Sequence, residues 1–468
     1  MARRAALACL LAAIAFVLTP PLPWLDDGYI SLDSAQSLLS GGDLQYGSSP
    51  LTGVTSPPYV LLLALLLQAG LAPLLAMRIA SALGLAALAG AVWWLGRSVG
   101  LDGWRRWALP LAVLTAGPVI AQATNGVETG WAMAVATALI AASVAGRRLA
   151  VAVLAGLLPW LRPDLLPLAG VVLLLAIWRQ PASVGLQLLF AAAIAFVPWS
   201  VWVRADTGAW IPQTMAAKAA FFAQSCYPLP LKATIVGQAL AAWFTAFLPA
   251  GLLGAIFVLR GPVGRLALAA SIVTIAAYTA ILPSGLFHNY HRYLYPIGVP
   301  LLALGLAVSF NARAFVWRVG AIAVIAGSLL LWPTRQLGAP SEPGERLAAA
   351  AWVTEHVDPG ATLLVQDAGV FSVFTPNPLV DLVGLKTPAS VAVHQARTEQ
   401  SCGANRLDAV AAIARSSGAG YLIVTSNWDA TFSLIEGLRE RGATLELLRF
   451  PPNSPDDGYN VYRMRYQP

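Results

Sequence analysis

Along most of this chain apolar residues do not alternate with polar ones; they come in long unbroken runs separated by short polar stretches. About eleven runs approach the ~20 apolar residues with which a helix crosses a bilayer core. They lie near 5–19, 75–96, 107–123, 129–145, 149–161, 164–178, 184–203, 235–259, 266–282, 294–309 and 316–332. The first reads as an uncleaved anchor rather than a signal peptide, because Ala13–Ala15 falls inside the apolar stretch and prolines follow at 20, 21 and 23. Residues 57–67 are too short a run to span and are predicted to lie as a juxtamembrane helix. After a Pro/Gly-rich linker at 333–344 the pattern changes. Helical periods at 345–356, 407–416 and 431–441 alternate with strand-like runs at 361–365, 421–425, 445–450 and 459–465. The expected architecture is therefore a polytopic α-helical membrane domain over 1–332, followed by a soluble α/β domain over 333–468.

Composition agrees. Apolar residues make up 58% of the chain and charged residues 11%, against about 25% charged in soluble domains. Mean hydropathy is +0.68. Residues 1–332 hold 18 Lys/Arg against 8 Asp/Glu, and residues 333–468 hold 11 against 14. The basic excess lies between apolar runs, so it reads as a determinant of topology, not as a nucleic-acid surface. Alternate loops carry Arg3/Arg4, Arg97/Arg105/Arg106, Arg147/Arg148, Arg179, Arg260/Arg265 and Arg313/Arg318 with a single acid, Asp102. By the positive-inside rule these loops and the N-terminus face the cytoplasm. The opposite loops collect Asp26, Asp27, Asp33, Asp43, Glu128, Asp164 and Asp206, and an odd number of spans places the α/β domain outside with them. Acids contribute little to orientation, so their one-sidedness points to an active outer surface. Cys9, Cys226 and Cys402 suit neither a zinc site nor a disulfide framework; a single Cys226–Cys402 bridge requires both to lie outside.

The first outward loop reads Trp24-Leu-Asp26-Asp27-Gly-Tyr29-Ile30, then Ser40-Gly41-Gly42-Asp43, then Leu51-Thr-Gly53-Val-Thr55-Ser56-Pro57. Adjacent carboxylates at a membrane surface serve as a general base with an orienting partner, hold a divalent cation (Mg²⁺, Mn²⁺ or Ca²⁺), or simply begin a short surface helix at 28–40. Further outward segments are Asn125-Gly-Val-Glu128-Thr129, Leu161-Arg162-Pro163-Asp164, Ile211-Pro212-Gln213-Thr214 with Ala217-Lys218, and His291-Arg292-Tyr293 before Pro296. Each has a plain alternative. Asn125 and Glu128 have capping-box spacing. Arg162 and Asp164 suit an interface ion pair, Lys218 suits a side chain reaching for lipid headgroups, and His288 with His291 suits an aromatic interface cluster.

Taken together and in order, these segments resemble the GT-C superfamily of polyprenyl-phosphate-sugar-dependent glycosyltransferases, closest to its arabinofuranosyltransferase B-like branch. In the soluble part Asp381-Leu-Val-Gly384-Leu385 is similar to that family's Asp-x-x-Gly-Leu segment. Gln213 stands where Asn is usual and Thr52 where Glu often precedes the glycine, departures that bear on the sugar and the acceptor. The resemblance implies transfer of a sugar from a polyprenyl-phosphate donor to a glycan, lipid or protein acceptor at the outer face of a bacterial inner membrane. Direct displacement by the acceptor would invert the anomeric centre.

In that reading Asp26 is the base and Asp27 orients it or shares a metal. Lys218 and Arg292 are the first candidates for the departing phosphate, with Arg204 and Arg162 second. Tyr29, Glu128, Asp164, Thr214, His288 and His291 are candidate substrate contacts. No segment resembles a Gly-rich nucleotide-phosphate loop, which argues against a nucleotide sugar as direct donor. Two rivals remain in view: a GT-C-like oligosaccharide polymerase or ligase needing the same groups, and a lipid-linked sugar transporter or flippase. The second calls for matching halves and midspan charges, neither of which is present.

Overall fold

The apolar runs become helices whose ends are set by glycine, proline and charge. The computed structural model describes residues 11, 13–22, 25–43, 45–178, 180–248, 250–311, 343–451 and 458–466. Among these, four helical stretches are long and apolar enough to cross a membrane: Pro73–Ser98, Ala182–Thr207, Pro262–Ile281 and Pro283–Asn311. A fifth is added if Leu229–Ala246 and Ala250–Val258 form one bent span. Pro57–Gln68, Thr129–Val144, Arg148–Leu161 and Pro163–Ile177 are apolar but shorter. The protein is thus multi-pass, with fewer full-length spans among the described residues than the eleven runs suggest. One reason is visible at 107–123. That run breaks into Gly103–Leu114 and Val119–Ala123 because Gly117 takes φ +62° ahead of Pro118, a turn no L-residue adopts cheaply. The expected span at 316–332 and most of the linker lie outside the described residues, as does Trp24.

The chain divides into two compact units. The first comprises Met1–Pro21, Arg78–Trp202 and Pro228–Ala339. Its helices Thr129–Val144 and Tyr295–Asn311 bury residues on all sides, as expected of helices enclosed by other helices. Their core includes Leu88, Val92, Met133, Leu139, Phe257 and Leu306.

The second unit comprises Leu22–Met77, Val203–Tyr227 and Pro340–Pro468, so two loops that the arginine pattern predicts to lie outside gather with the C-terminal domain. That domain is a mixed five-stranded sheet of β1 (Leu363–Val365), β2 (Leu379–Asp381), β3 (Tyr421–Thr425), β4 (Ala443–Arg449) and β5 (Tyr459–Tyr466), in the order β2-β1-β3-β5-β4. β1 pairs in parallel with β2 and β3, while β5 runs antiparallel to β3 and β4. The helix expected at 431–441 is two, Ser426–Phe432 and Leu434–Glu440, divided by Ser433 in the left-handed region at φ +51°.

Helix Thr214–Phe222 is docked on this domain by its own sequence. Phe221 is fully buried in the sheet's apolar core, and Arg406 donates to the carbonyls of Phe221 and Phe222 at 3.0 Å each. Beyond the helix Cys226 is bonded to Cys402, 176 residues away. Such a bridge belongs to an oxidising compartment. Cys226→Ser should lower the stability of the full chain by about 2–4 kcal/mol in non-reducing buffer and by nothing further once wild type is reduced. Thermal melts with and without dithiothreitol check this.

His394 is buried, its Nε2 donating to the Leu382 carbonyl and its Nδ1 lying 2.8 Å from the Thr398 hydroxyl. Burial lowers its pKa from 6.5 to about 4. A depressed histidine stabilises the fold fully above pH 6.5 and loses that contribution as pH falls toward 4. The melting temperature should therefore drop over that window, with a shallower slope in His394→Asn.

Candidate functional site

The acid pair opens the helix Asp26–Ser40, placing both carboxylates in its first turn, where the helix dipole favours negative charge. Their surroundings differ. Asp26 is 8% exposed; its Oδ2 accepts the Gly369 N–H at 2.8 Å and its Oδ1 the Val370 N–H at 2.9 Å. Gly369 lies so close that a Cβ there would come within 2.7 Å of the Ile30 nitrogen and collide with the Asp26 carbonyl. Burial, then the nearby charge of Asp367, raises the Asp26 pKa well above the ordinary carboxylate range, against the opposing pull of Arg346 and the two N–H groups. Arg346 itself donates to Tyr459 at 3.0 Å and lies 3.8 Å from Asp367, which also accepts from Tyr459.

Asp27 points elsewhere. Its side chain is 25% exposed, and its Oδ2 lies 3.9 Å from Nζ of Lys218, whose side chain is 13% exposed. Lys218 rides on the docked helix Thr214–Phe222, so its position is set by Phe221, Arg406 and the disulfide rather than by lipid. The same helix begins at Thr214, whose hydroxyl meets that of Thr55 at 3.2 Å. Asp206 accepts the Leu51 N–H at 2.8 Å. Two segments separated by about 150 positions in the chain are thus tied together at the acid pair.

A third support was not singled out from the sequence. Lys386 is fully buried, 2.9 Å from Asp33 and 2.7 Å from Asp43. Burial pushes its ammonium down, but the two carboxylates outweigh that and raise its pKa. The Asp381 carboxylate, pushed up to about 6 by burial, accepts the N–H groups of Val383 and Lys386 at 2.8 and 2.9 Å and shapes this loop. The signal was available: Lys386 directly follows the Asp381–Leu385 segment and is one of only three lysines. Tyr29, a candidate substrate contact, is fully buried with its ring edge-on to Phe374 at 5.9 Å, so it acts as core. Arg204 is exposed over the Trp210 ring at 5.5 Å.

The first unit gathers three other segments. All three guanidinium nitrogens of Arg162, which is 1% exposed, are engaged: Nε and Nη2 with Asp164 at 3.1 and 3.0 Å, Nη1 with Glu128 at 3.2 Å. Tyr278 donates to Asp164 at 3.1 Å, and the Tyr293 ring lies 4.6 Å from the guanidinium carbon. Glu128 forms no side-chain cap at the start of Thr129–Val144; its carboxylate goes to Arg162 instead. Arg292 is 4% exposed and reaches the Tyr293 hydroxyl at 3.4 Å, while the His288 ring stacks on the Tyr293 ring at 6.1 Å. This motif sits on an uncommon backbone. Asn289, Tyr290 and His291 are consecutively left-handed, at φ +50°, +57° and +64°, which costs about 1–2 kcal/mol per residue. Gln122 holds the turn by donating to the carbonyls of Asn289 and Tyr290 at 3.1 and 3.2 Å.

Among the described residues no group of three or more His, Cys, Asp or Glu is placed to hold a metal ion. The donor chemistry of the acid pair agrees, since both oxygens of Asp26 accept backbone N–H groups and Asp27 faces an ammonium. The divalent cation considered for Asp26 and Asp27 does not fit these residues.

Residues 336–462 match a family described only as a domain of unknown function, DUF8728. No curated protein matches the chain. Among solved structures, ArnT from Cupriavidus metallidurans bound to undecaprenyl phosphate is 14% identical with a TM-score of 0.56, covering 98% of this chain and 96% of that one. The oligosaccharyltransferase of Archaeoglobus fulgidus, in complex with Zn and sulfate, is 15% identical with a TM-score of 0.53, over 97% of this chain and 72% of that one. Arabinofuranosyltransferase AftD from Mycobacteria is 17% identical with a TM-score of 0.50, over 98% of this chain. The chain spans only 40% of the length of that mycobacterial protein. At such identities the likeness is one of fold.

Proposed function

We propose that this protein, which has the fold of the GT-C glycosyltransferases, moves a sugar from a polyprenyl-phosphate donor to a glycan, lipid or protein acceptor at the outer face of a bacterial inner membrane. The observation that carries this reading is the pair Asp27–Lys218, a partly exposed carboxylate 3.9 Å from an ammonium beside an acid that is locked in place. Sugar transfer needs both partners: a base for the acceptor hydroxyl and a cation for the departing phosphate. ArnT with undecaprenyl phosphate, and the Archaeoglobus fulgidus oligosaccharyltransferase AglB with a dolichol-phosphate, are relatives in fold that hold carriers of this chemistry. The one-sided arginines and the Cys226–Cys402 bridge support an outward site.

The roles expected from sequence exchange places. Asp26 has both oxygens bound to backbone N–H groups, so it is the positioning residue that fixes the first helical turn. Asp27 is the base. The acceptor O–H gives its proton to the Asp27 carboxylate as its oxygen bonds to the anomeric carbon. The bond from that carbon to the phosphate oxygen breaks on the opposite face, and Lys218, whose flexible side chain swings away from Asp27 when the donor enters, meets the charge left on the phosphate. The anomeric centre inverts. Arg162, enclosed by Glu128 and Asp164, is a structural clamp in this reading.

Lys218→Ala should raise the donor KM or lower kcat/KM for donor by about 1.5–3 kcal/mol, the worth of a charged hydrogen bond. Kinetics with a defined lipid-linked sugar at fixed acceptor check it. Unchanged donor kinetics would remove Lys218 from the phosphate.

A further inference from the structure

The second unit contains a cavity of about 100 Å³ that neither the acid pair nor Lys218 lines. Its walls come from three of the sequence segments singled out above: Thr52 and Gly53 of the first loop, Pro212 and Gln213 before the docked helix, and Leu385 after the Asp381 turn. Val391 closes another side. The lining carries no charged side chain. Lys386 is adjacent to Leu385 in the chain, yet its ammonium is committed to Asp33 and Asp43, which leaves no cation here for a phosphate or carboxylate.

What the walls offer is a neutral mixture. The Thr52 hydroxyl pairs with that of Ser49 at 2.9 Å. One proton serves that bond, so the pair retains a second O–H to donate. Gln213 is exposed at the rim and adds an amide, which both donates and accepts. Leu385 and Val391 add apolar surface. Hydroxyls on an edge and C–H groups on a face are what a sugar ring presents, and the volume suits one ring rather than a chain. Gln213 also immediately precedes the helix that carries Lys218, five residues on, or about 7.5 Å along the helix axis.

We propose that this cavity is a subsite for one uncharged sugar ring. The inference rests on the reading of the protein as a glycosyltransferase and deepens it, since the ring belongs either to the acceptor or to the donor sugar. In the full chain in nanodiscs, without donor, saturation-transfer NMR should detect a methyl pentofuranoside or a methyl hexopyranoside, and inorganic phosphate should not compete. Gln213→Leu removes the amide from an exposed position, and Val391→Phe fills the cavity. Both should weaken the NMR signal, with about tenfold more glycoside needed to reach the wild-type level. Each should raise one KM about tenfold, the effect of losing one neutral hydrogen bond or an equivalent contact, with kcat within about twofold. A rise in acceptor KM assigns the ring to the acceptor, and a rise in donor KM assigns it to the donor sugar.

Absence of glycoside binding to wild type, competition by phosphate, or two variants with both KM values unchanged would overturn the subsite. Donor consumption by wild type is measured separately, so loss of the subsite leaves the proposed reaction standing, and loss of the reaction does not alter the binding result.

Discussion

Asp27→Asn is expected to lower turnover by about 10²–10⁴-fold, the range for loss of a general base, while the protein still folds, inserts and binds its lipid donor. Asparagine keeps the size of the side chain and some hydrogen bonding but cannot take the acceptor proton. The side chain is partly exposed and belongs to the first turn of Asp26–Ser40, so little packing depends on it. Asp26→Asn should behave differently. The neutral amide offers one acceptor oxygen where the carboxylate serves two N–H groups, those of Gly369 and Val370. One buried donor then loses its partner, at about 1–3 kcal/mol. The loss should appear in stability and as a moderate fall in kcat from misplacement of Asp27. Single-turnover rates beside thermal melts separate the cases. A near-normal rate for Asp27→Asn together with the large loss in Asp26→Asn would restore Asp26 as base.

The second large effect is expected at Lys386. Replacing it by methionine leaves Asp33 and Asp43 buried with no cation between them, and breaking a buried pair in this way costs about 3–5 kcal/mol. The variant should melt markedly lower or fail to accumulate. Adding Asp33→Asn and Asp43→Asn to Lys386→Met should recover most of the loss, because the uncompensated charges are removed. A triple variant no more stable than Lys386→Met alone would show that the three side chains do not act as a unit. The triad joins the first outward loop to the turn after β2, so its loss should also disturb the helix that carries the acid pair.

Much of this was legible in the residues. The unbroken apolar runs mark apolar helices, two of them long enough to cross a membrane, and their ends near 73–98, 129–144, 148–161 and 182–207 follow the expected boundaries closely. The C-terminal sheet was legible too: β3 falls where expected, and β5 extends one residue further. β2 was not seen, since Leu379–Asp381 is three residues long and its alternation is too short to register. The left-handed turn at 289–291 depends on a tertiary contact from Gln122, and the split at Ser433 on Asp429, whose Oδ1 accepts the Ile435 N–H at 2.8 Å; no glycine announces either one.

For the site, sequence supplied the participants but little of their pairing. Arg162 and Asp164 already suited an ion pair, and the fold adds Glu128, which read as a helix cap, to close the cluster. The cysteine pair is an exception: Cys226–Cys402 was the bridge considered from sequence, though its separation of 176 residues carries no local signal. The order of Asp26 and Asp27 in the chain carried no information about which faces solvent; that depends on where Gly369 approaches the helix.

The central claim is that this chain breaks the bond between a sugar and a polyprenyl phosphate. Its most direct test incubates the purified full chain in nanodiscs with a defined polyprenyl-phosphate sugar and an acceptor, and follows the lipid by mass spectrometry. The expected result is free polyprenyl phosphate released in step with glycosylated acceptor, abolished in Asp27→Asn. Intact lipid-linked sugar in every sample, with no polyprenyl phosphate formed, would contradict it.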